Sequence, residues 1–431
     1  MRPALGDLLR LSSLMLMFSA ACSDAEGTVT IVTGEETDVF SREPRPVTLV
    51  TEQVALDGTR KEVGRQTLPV DGVDLGELQQ SDIGAIAITG LGADGKALVK
   101  GQSLLVQWGA LRDSSLQLFA QRTGELARVP NGPAAADVGP AVMVEGRFVF
   151  GVFGATAYLY DLLTLRTLTG QPSLPRAAKS VVAVDSAVLL IDENGASTFD
   201  LQSGASNAFA APANGTFAEV AGGARVGASD ASQFIVGATR IGNGGATTRV
   251  FYVDPDGKAS FAALTAPREG ACATYVQGRG LVVYGGGSDA SVAGAEVLAP
   301  GATVATPLPF PADPVKSCAA AVLDQTHVLI AGGDGGPARV IDLACTTDCK
   351  PVPWQGPIPL VRAEAAALAA DAVLLVGEDA QGATHAYRAS PPELKEIPLK
   401  NPRRGAHLVR GPAEALLVVG GGAAGIEMYR E

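Results

Sequence analysis

Seven apolar runs stop at a glycine or turn residue at nearly constant intervals: FVFGVFG at Gly151, AVLLIDENG at Asp192, QFIVGATR at Gly237, LVVYGGG at Gly285, HVLIAGG at Gly332, AVLLVGED at Gly377 and ALLVVGGG at Gly420. Successive spacings are 41, 45, 48, 47, 45 and 43 residues. So steady a period means that the chain is assembled from one supersecondary unit. Such a unit cannot bury its apolar faces alone and gains a core by stacking on its neighbours.

Each unit has the same internal order. A strand of small residues (GACATYV, SCAAAVL, GAHLV) precedes the apolar run, and a third strand follows the break and ends in an aromatic or acidic residue (YLYDL, STFDL, ARVIDL, HAYRAS, IEMYRE). Most units then carry a short strand leading into proline. Four strands in roughly 45 residues make one blade of a β-propeller. The first strand is small because inner strands crowd around a narrow axis, and the glycines supply positive φ and close approach where the second strand turns. No helical pattern follows any of these glycines, so GGDGG is read as blade punctuation rather than a phosphate loop.

With its apolar run, Gly-Gly pair and later Tyr or acidic residue, the unit resembles the kelch repeat. The resemblance covers residues 111–431 and is strongest at Gly285 and Gly286, Gly332 and Gly333, and Gly420 and Gly421. The other breaks read Gly151-Val152, Asp192-Glu193, Gly237-Ala238 and Gly377-Glu378, and Trp354 is the one candidate for the family's later tryptophan. The last unit ends at GIEMYRE with no fourth strand. The segment SLQLFAQRTGELARVP, Ser115 to Pro130, is placed to supply it, which gives seven blades and a closing blade shared by both ends of the repeat. Counting SLLVQWGAL, at Gly109, as a further blade would give eight.

Residues 28–110 lack the period. Their alternating and apolar strands, with ADGK as a tight hairpin turn, predict a small β-sandwich that resembles immunoglobulin-like or fibronectin-like modules and would act as a spacer. The whole chain is therefore expected to be all-β. Residues 1–22 read as a targeting segment, with Arg2 and Arg10 before an apolar core from Leu11 to Phe18 that is too short to span a bilayer. Its end, SAAC, resembles a bacterial lipoprotein signal, which implies acylation of Cys22, a tether over residues 23–27 and a place in the cell envelope. An ordinary secretory signal is the alternative. Either reading exports the mature chain.

The formal charge of -12 and pI near 4.9 exclude a nucleic-acid partner, because phosphate neutralisation needs a surplus of lysine and arginine. Beyond Cys22, the four cysteines suit an oxidising compartment. Cys345 and Cys349, in CTTDC, would close a small loop as a disulfide. Cys272 and Cys318 occupy matching positions in adjacent units, where a bridge needs alpha carbons within about 7 Å; buried free thiols are the alternative. His327, His385 and His407 lie in different strands and form no recognisable metal set, and no cofactor is called for.

Propellers bind or catalyse around the mouth of the central channel. Arg176, Arg268, Arg362 and Arg403 recur just before the inner strands. They would either bind an acidic ligand through bidentate hydrogen bonds or tie neighbouring loops and blades together. Glu269 and Glu364, beside them, are the candidate acid or base, or else loop carboxylates paired with neighbouring cations. Two functions follow. The first is an envelope-anchored, non-catalytic binding protein for a protein or glycan. The second is a carbohydrate-active isomerase or lyase acting on an acidic sugar, as the resemblance to kelch-type epimerases implies. The three histidines and seven tyrosines form no recognisable copper set like that of galactose oxidase, and turns such as DPDG and DENG do not match the sialidase Asp box.

Overall fold

The computed structural model describes residues 28–431 except 71, 74, 76–80, 112–114, 135–138, 169, 171–172, 288–291, 335–336 and 369–370. The targeting segment and Cys22 lie outside these residues, as do Gly335 and Gly336 of GGDGG. Among the described residues, seven four-stranded antiparallel sheets follow one another along the chain. The inner strands of blades 1 to 7 are Ala141–Val144, Ser180–Val184, Ala224–Gly227, Cys272–Val276, Cys318–Val322, Arg362–Ala367 and Ala406–Arg410. Each packs beside the next, and the seventh packs beside the first, so the ring is closed.

The apolar runs are hydrophobic throughout because each second strand is covered on both faces. In blade 5, Val328 and Ile330 face blade 4, where they pack with Cys272, Tyr284 and Phe310. The intervening Leu329 and Ala331 face blade 6 and pack with Leu360, Val373 and Leu375. The period-2 alternation of a strand thus divides one run between two cores. Blade 7 repeats the pattern, with Leu417 and Val419 toward blade 1 and Leu416 and Val418 toward blade 6.

Closure comes from Glu125–Arg128, which pairs antiparallel with Ile426–Arg430 and becomes the fourth strand of blade 7. Its Leu126 is fully buried between blades 6 and 7. The count is therefore seven. The segment around Gly109 belongs instead to the N-terminal unit, where Val106–Gln107 pairs with Ile83–Leu91 and Trp108–Leu111 forms a short 3-10 helix.

The N-terminal strands form one hydrogen-bonded path. Ser115–Arg122 joins its parts by pairing parallel with Thr28–Val32 through Phe119 and then antiparallel with Ala97–Gln102 from Ala120 onward. The unit is fastened to blade 7. Arg42 reaches both carboxylate oxygens of Glu125 at 2.9 and 2.7 Å, Glu36 accepts from the backbone and side chain of Arg128 at 3.0 Å each, and the buried Gln121 amide donates to the Met428 carbonyl at 3.0 Å. Charge-assisted, partly buried bonds of this kind fix orientation better than exposed pairs do.

Candidate functional site

The inner strands begin, and the second strands end, at the same face of the ring. The Gly-Gly breaks sit there. Gly285 and Gly286 both have positive φ, 75° and 69°, and a side chain on Gly286 would come within 2.8 Å of the Glu269 carbonyl. The second glycine is thus pressed against the backbone entering the inner strand, which only glycine permits.

Three of the four arginines anchor this face from within. Arg268 donates Nη1 to the Gly285 carbonyl at 2.7 Å and Nε to Glu296 at 2.9 Å, and the other oxygen of Glu296 takes the Thr265 amide and hydroxyl at 2.6 Å. Arg403 repeats the arrangement, with Nη1 on the Gly420 carbonyl at 2.6 Å and Nε on Glu427 at 3.0 Å, while Glu427 accepts the Lys400 and Asn401 amides. Both ion pairs have side-chain exposure of 0%. Arg176, in blade 2, makes a lighter version with Asp192 at 2.8 Å and Ser197 at 3.1 Å. In blade 5 the charges are exchanged: Arg339, at the third-strand position of Glu296 and Glu427, meets Asp313 at 3.3 Å. Both the Arg268 and the Arg403 guanidinium are buried, and their donors hold loops and adjacent strands together. Arg362 differs. It is 63% exposed, and its nearest carboxylate is Glu378 at 3.9 Å.

The two candidate acid or base groups are also paired. Glu269 accepts from Lys316 Nζ at 2.6 Å and from the Gly242 amide at 3.0 Å, and the Lys316 bond, acting against burial, holds its pKa below the usual value. Glu364 lies on the inner strand of blade 6 and spans to blade 7. It bonds His407 Nδ1 at 2.8 Å and accepts the Leu408 amide at 2.7 Å. Burial in the channel would raise its pKa, but the charge and hydrogen bond of His407, the Leu408 amide and the charge of Arg225 outweigh it and hold the group ionised. His407 responds in kind. Burial disfavours its cation, and the charge and hydrogen bond of Glu364 overcome that and raise its pKa. A general acid needs a proton near neutral pH, and neither glutamate keeps one.

Both disulfides are formed, and both belong to the interface of blades 4 and 5. Cys272–Cys318 joins the two inner strands with alpha carbons 5.3 Å apart, and Cys345–Cys349 closes the turn between the third and fourth strands of blade 5. The mouth is knitted further by backbone bonds, including Ser317 N–H to the Gly270 carbonyl and Ala363 N–H to the Ser317 carbonyl. Away from the axis, an open depression of about 420 Å³ lies beside blade 3, lined by Glu219, Arg240, Thr247 and Thr248 among others. The Arg240 guanidinium there donates to the Ala218 and Gly244 carbonyls at 2.6 and 2.8 Å. Among the described residues no cluster of three or more His, Cys, Asp or Glu could hold a metal.

Sequence reasoning singled out Glu364 but missed its partner. The signal was present: Glu364 stands 13 residues before Gly377 and His407 stands 13 before Gly420, the same spacing that separates Cys272 from Gly285. Equivalent positions on adjacent inner strands thus meet as an ion pair between blades 6 and 7, much as the two cysteines meet between blades 4 and 5. Arg225 had no such signal, because it stands 12 rather than 13 residues before its glycine, Gly237.

No family model matches the chain, and no curated protein matches it in sequence. Solved structures similar to it include a virginiamycin B lyase from Staphylococcus aureus, at 12% identity and a TM-score of 0.48 over 71% of this chain and 99% of that one. A chain of the mitotic checkpoint complex gives 10% identity and 0.48 over 72% and 92%, and the computationally designed Ika8 protein gives 11% and 0.40 over 71% and 100%.

Proposed function

We propose that this chain is a non-catalytic binding protein, a kelch-like propeller held in the bacterial envelope by a lipid on Cys22, with residues 28–110 as an immunoglobulin-like spacer and the channel mouth as the face that engages an envelope protein or glycan. The observation that carries the binding role is the bracing of that mouth. Buried Arg268–Glu296 and Arg403–Glu427 pairs, a disulfide between inner strands and two glutamates held as carboxylates make that mouth a rigid platform. Rigid presentation lowers the ordering cost of association.

Placing a photo-crosslinking side chain at Arg362 or Arg404, both exposed at the mouth, in the intact envelope tests this. Crosslinks from the mouth that are absent from a control position on Arg60–Thr67 are expected, and equal labelling from both would count against it. Mass measurement of the mature N-terminus tests the anchor, since a diacylated Cys22 and a free Ser23 differ in hundreds of daltons. A second reading, an isomerase or lyase on an acidic sugar, draws on the Glu364–His407 pair facing Arg225. Turnover of uronates by the purified chain would favour it.

A further inference from the structure

Turns at residues 55–59, 92–96, 254–258 and 379–383 share one hydrogen-bonded form. The first amide donates to the last carbonyl, and the amide of Gly58, Gly95, Gly257 or Gly382 donates to the first carbonyl, all at 2.9 to 3.0 Å. The second residue of these turns is Leu56, Ala93, Pro255 or Ala380, so the form needs no large apolar side chain there. Leu56 is nevertheless a leucine, and it is 68% exposed. Ile83 and Leu105, at 50% and 49%, keep it company. Ala55 pairs with Gly84, so Leu56 leaves its strand beside Ile83. On the other side of the same strand Gly84 pairs with Val106, which sets Leu105 next to Ala85. Neighbours of this kind across a sheet stand about 5–8 Å apart, so the three side chains make one patch. Ile83 shares its sheet face with Val54, Ala85 and Ala87, a small apolar cluster that the patch extends outward.

The same end of the sheet is where the chain enters it. In Ser115–Arg122, Ala120 pairs with Gly101 of an antiparallel strand, so the start of Ser115–Arg122 lies toward Leu105 and Val106. Thr28 pairs with Ser115. The residues before Thr28 therefore leave the sheet at the end that carries the patch. From Cys22 to Thr28 an extended chain reaches at most about 20 Å, so acyl chains on Cys22 would hold a bilayer within that distance. We infer that Leu56, Ile83 and Leu105 form a foot that enters the bilayer holding Cys22 and fixes the N-terminal unit on the membrane surface. This rests on the lipid anchor proposed above and deepens it by assigning the unit a lipid-contacting end. Aliphatic side chains enter the headgroup and acyl boundary by about 5–10 Å. The backbone at the tip suits that depth, because its turn bonds are closed and the Thr59 amide is taken by Asp57 at 2.9 Å. Asp57 and Asp82 beside the patch offer no attraction to an anionic surface, and Arg60 is engaged by Glu52 and Gln102 at 3.1 and 2.7 Å. The contact is therefore apolar, and zwitterionic lipid suffices for it.

The test uses the chain from Ser23 onward, held on phosphatidylcholine vesicles by an N-terminal histidine tag and a nickel-chelating lipid in place of the acyl chains. An environment-sensitive fluorophore is attached at Leu56→Cys or, as the control, at Ala93→Cys in the equivalent turn; the four other cysteines are held in disulfides. On vesicles the label at 56 should shift to the blue. It should also lose about half or more of its emission to lipid carrying a nitroxide near the head of its acyl chain, as befits a group about 5–10 Å deep. The label at 93 should do neither. Ile83→Ser with Leu105→Ser should reduce the loss at 56 about twofold or more, since two of the three apolar side chains are gone. An unchanged urea midpoint reports that this variant, altered only at exposed positions, is folded. Equal responses at 56 and 93, or a loss that the double variant leaves intact, overturns the foot. A blue shift that appears without vesicles and grows with protein concentration also overturns it and assigns the patch to a second copy of the chain. Because the tag replaces the lipid, a failed foot is told apart from a failed anchor, which the mass of the mature N-terminus reports.

Discussion

Arg268, the last residue of the fourth strand of blade 3, and Glu296, on the third strand of blade 4, meet at 2.9 Å with both side chains wholly removed from solvent. The pair joins the end of blade 3 to the third strand of blade 4 and ties both to the Gly285 carbonyl. Removing one partner would leave the other as an uncompensated buried charge. Arg268→Met should therefore cost about 3–5 kcal/mol of stability, and Arg403→Met should behave alike. Arg362→Ala, on an exposed side chain, should stay within about 0.5 kcal/mol. Urea unfolding monitored by tryptophan fluorescence makes the comparison, and equal losses for Arg268 and Arg362 would show that the clasp is misassigned.

The two disulfides should contribute unequally. In the chain-entropy account, a cross-link between residues 46 apart restricts the unfolded state by about 4 kcal/mol, against about 2 kcal/mol for one spanning 4. The Cys272→Ser/Cys318→Ser double variant should thus lower the urea midpoint clearly more than Cys345→Ser/Cys349→Ser. The reverse order would mean that the outer bridge, whose Cys349 amide also bonds the Pro309 carbonyl of blade 4, governs that interface.

Ring closure depends on four residues far from the rest of blade 7 in sequence. Leu126→Ala should cost about 2–5 kcal/mol, as for other fully buried leucines. A chain beginning at Asn131 would lose the fourth strand of blade 7 and expose the edge of Ile426–Arg430. Such a chain should lose cooperativity, with hydrogen exchange quickening first in blades 7 and 1. Uniform protection across all blades would show that the closing strand is dispensable.

The blades were legible because a period of about 45 residues survives any local irregularity, and because the small inner strands and the paired glycines each answer a steric demand of the ring. The closing strand was legible for the same reason, as a unit one strand short. What the repeat hid was the assignment of its polar residues. Arg268 and Arg403 precede inner strands and reach a glutamate on a third strand, whereas Arg362 is itself the first residue of an inner strand, two residues nearer its glycine, and is exposed. Spacing to the glycine, rather than to the strand, separates them: both buried arginines stand 17 residues before their glycine. The exchange of charge at Asp313 and Arg339 shows why residue type alone misleads, since the clasp needs opposite charges at two positions and not arginine at one. The pull of Arg225 on the charge of Glu364 was illegible because the two stand on inner strands three blades apart, a relation that only ring closure creates.

The Glu364–His407 pair should leave its mark on the pH dependence of stability. His407 has a raised pKa in the folded chain, so its contribution is complete below the ordinary histidine value near 6.5 and is lost as pH rises through the folded value. Glu364 has a lowered pKa, so its contribution is present above the ordinary value near 4.5 and is lost as pH falls through the folded value. The pair therefore favours the window between, and stability should decline on the alkaline side as the imidazolium is lost. His385, held between Glu396 and Asp379 at 3.0 and 3.1 Å, has a raised pKa chiefly through its bond to Glu396 and adds to the same alkaline decline. Urea midpoints at pH 5.5, 7.0 and 8.5 separate the two. His407→Gln and His385→Gln should each flatten the slope in part, and the double variant should remove most of it. If His407→Gln keeps the full wild-type slope, then the imidazole does not carry the charge that joins blades 6 and 7.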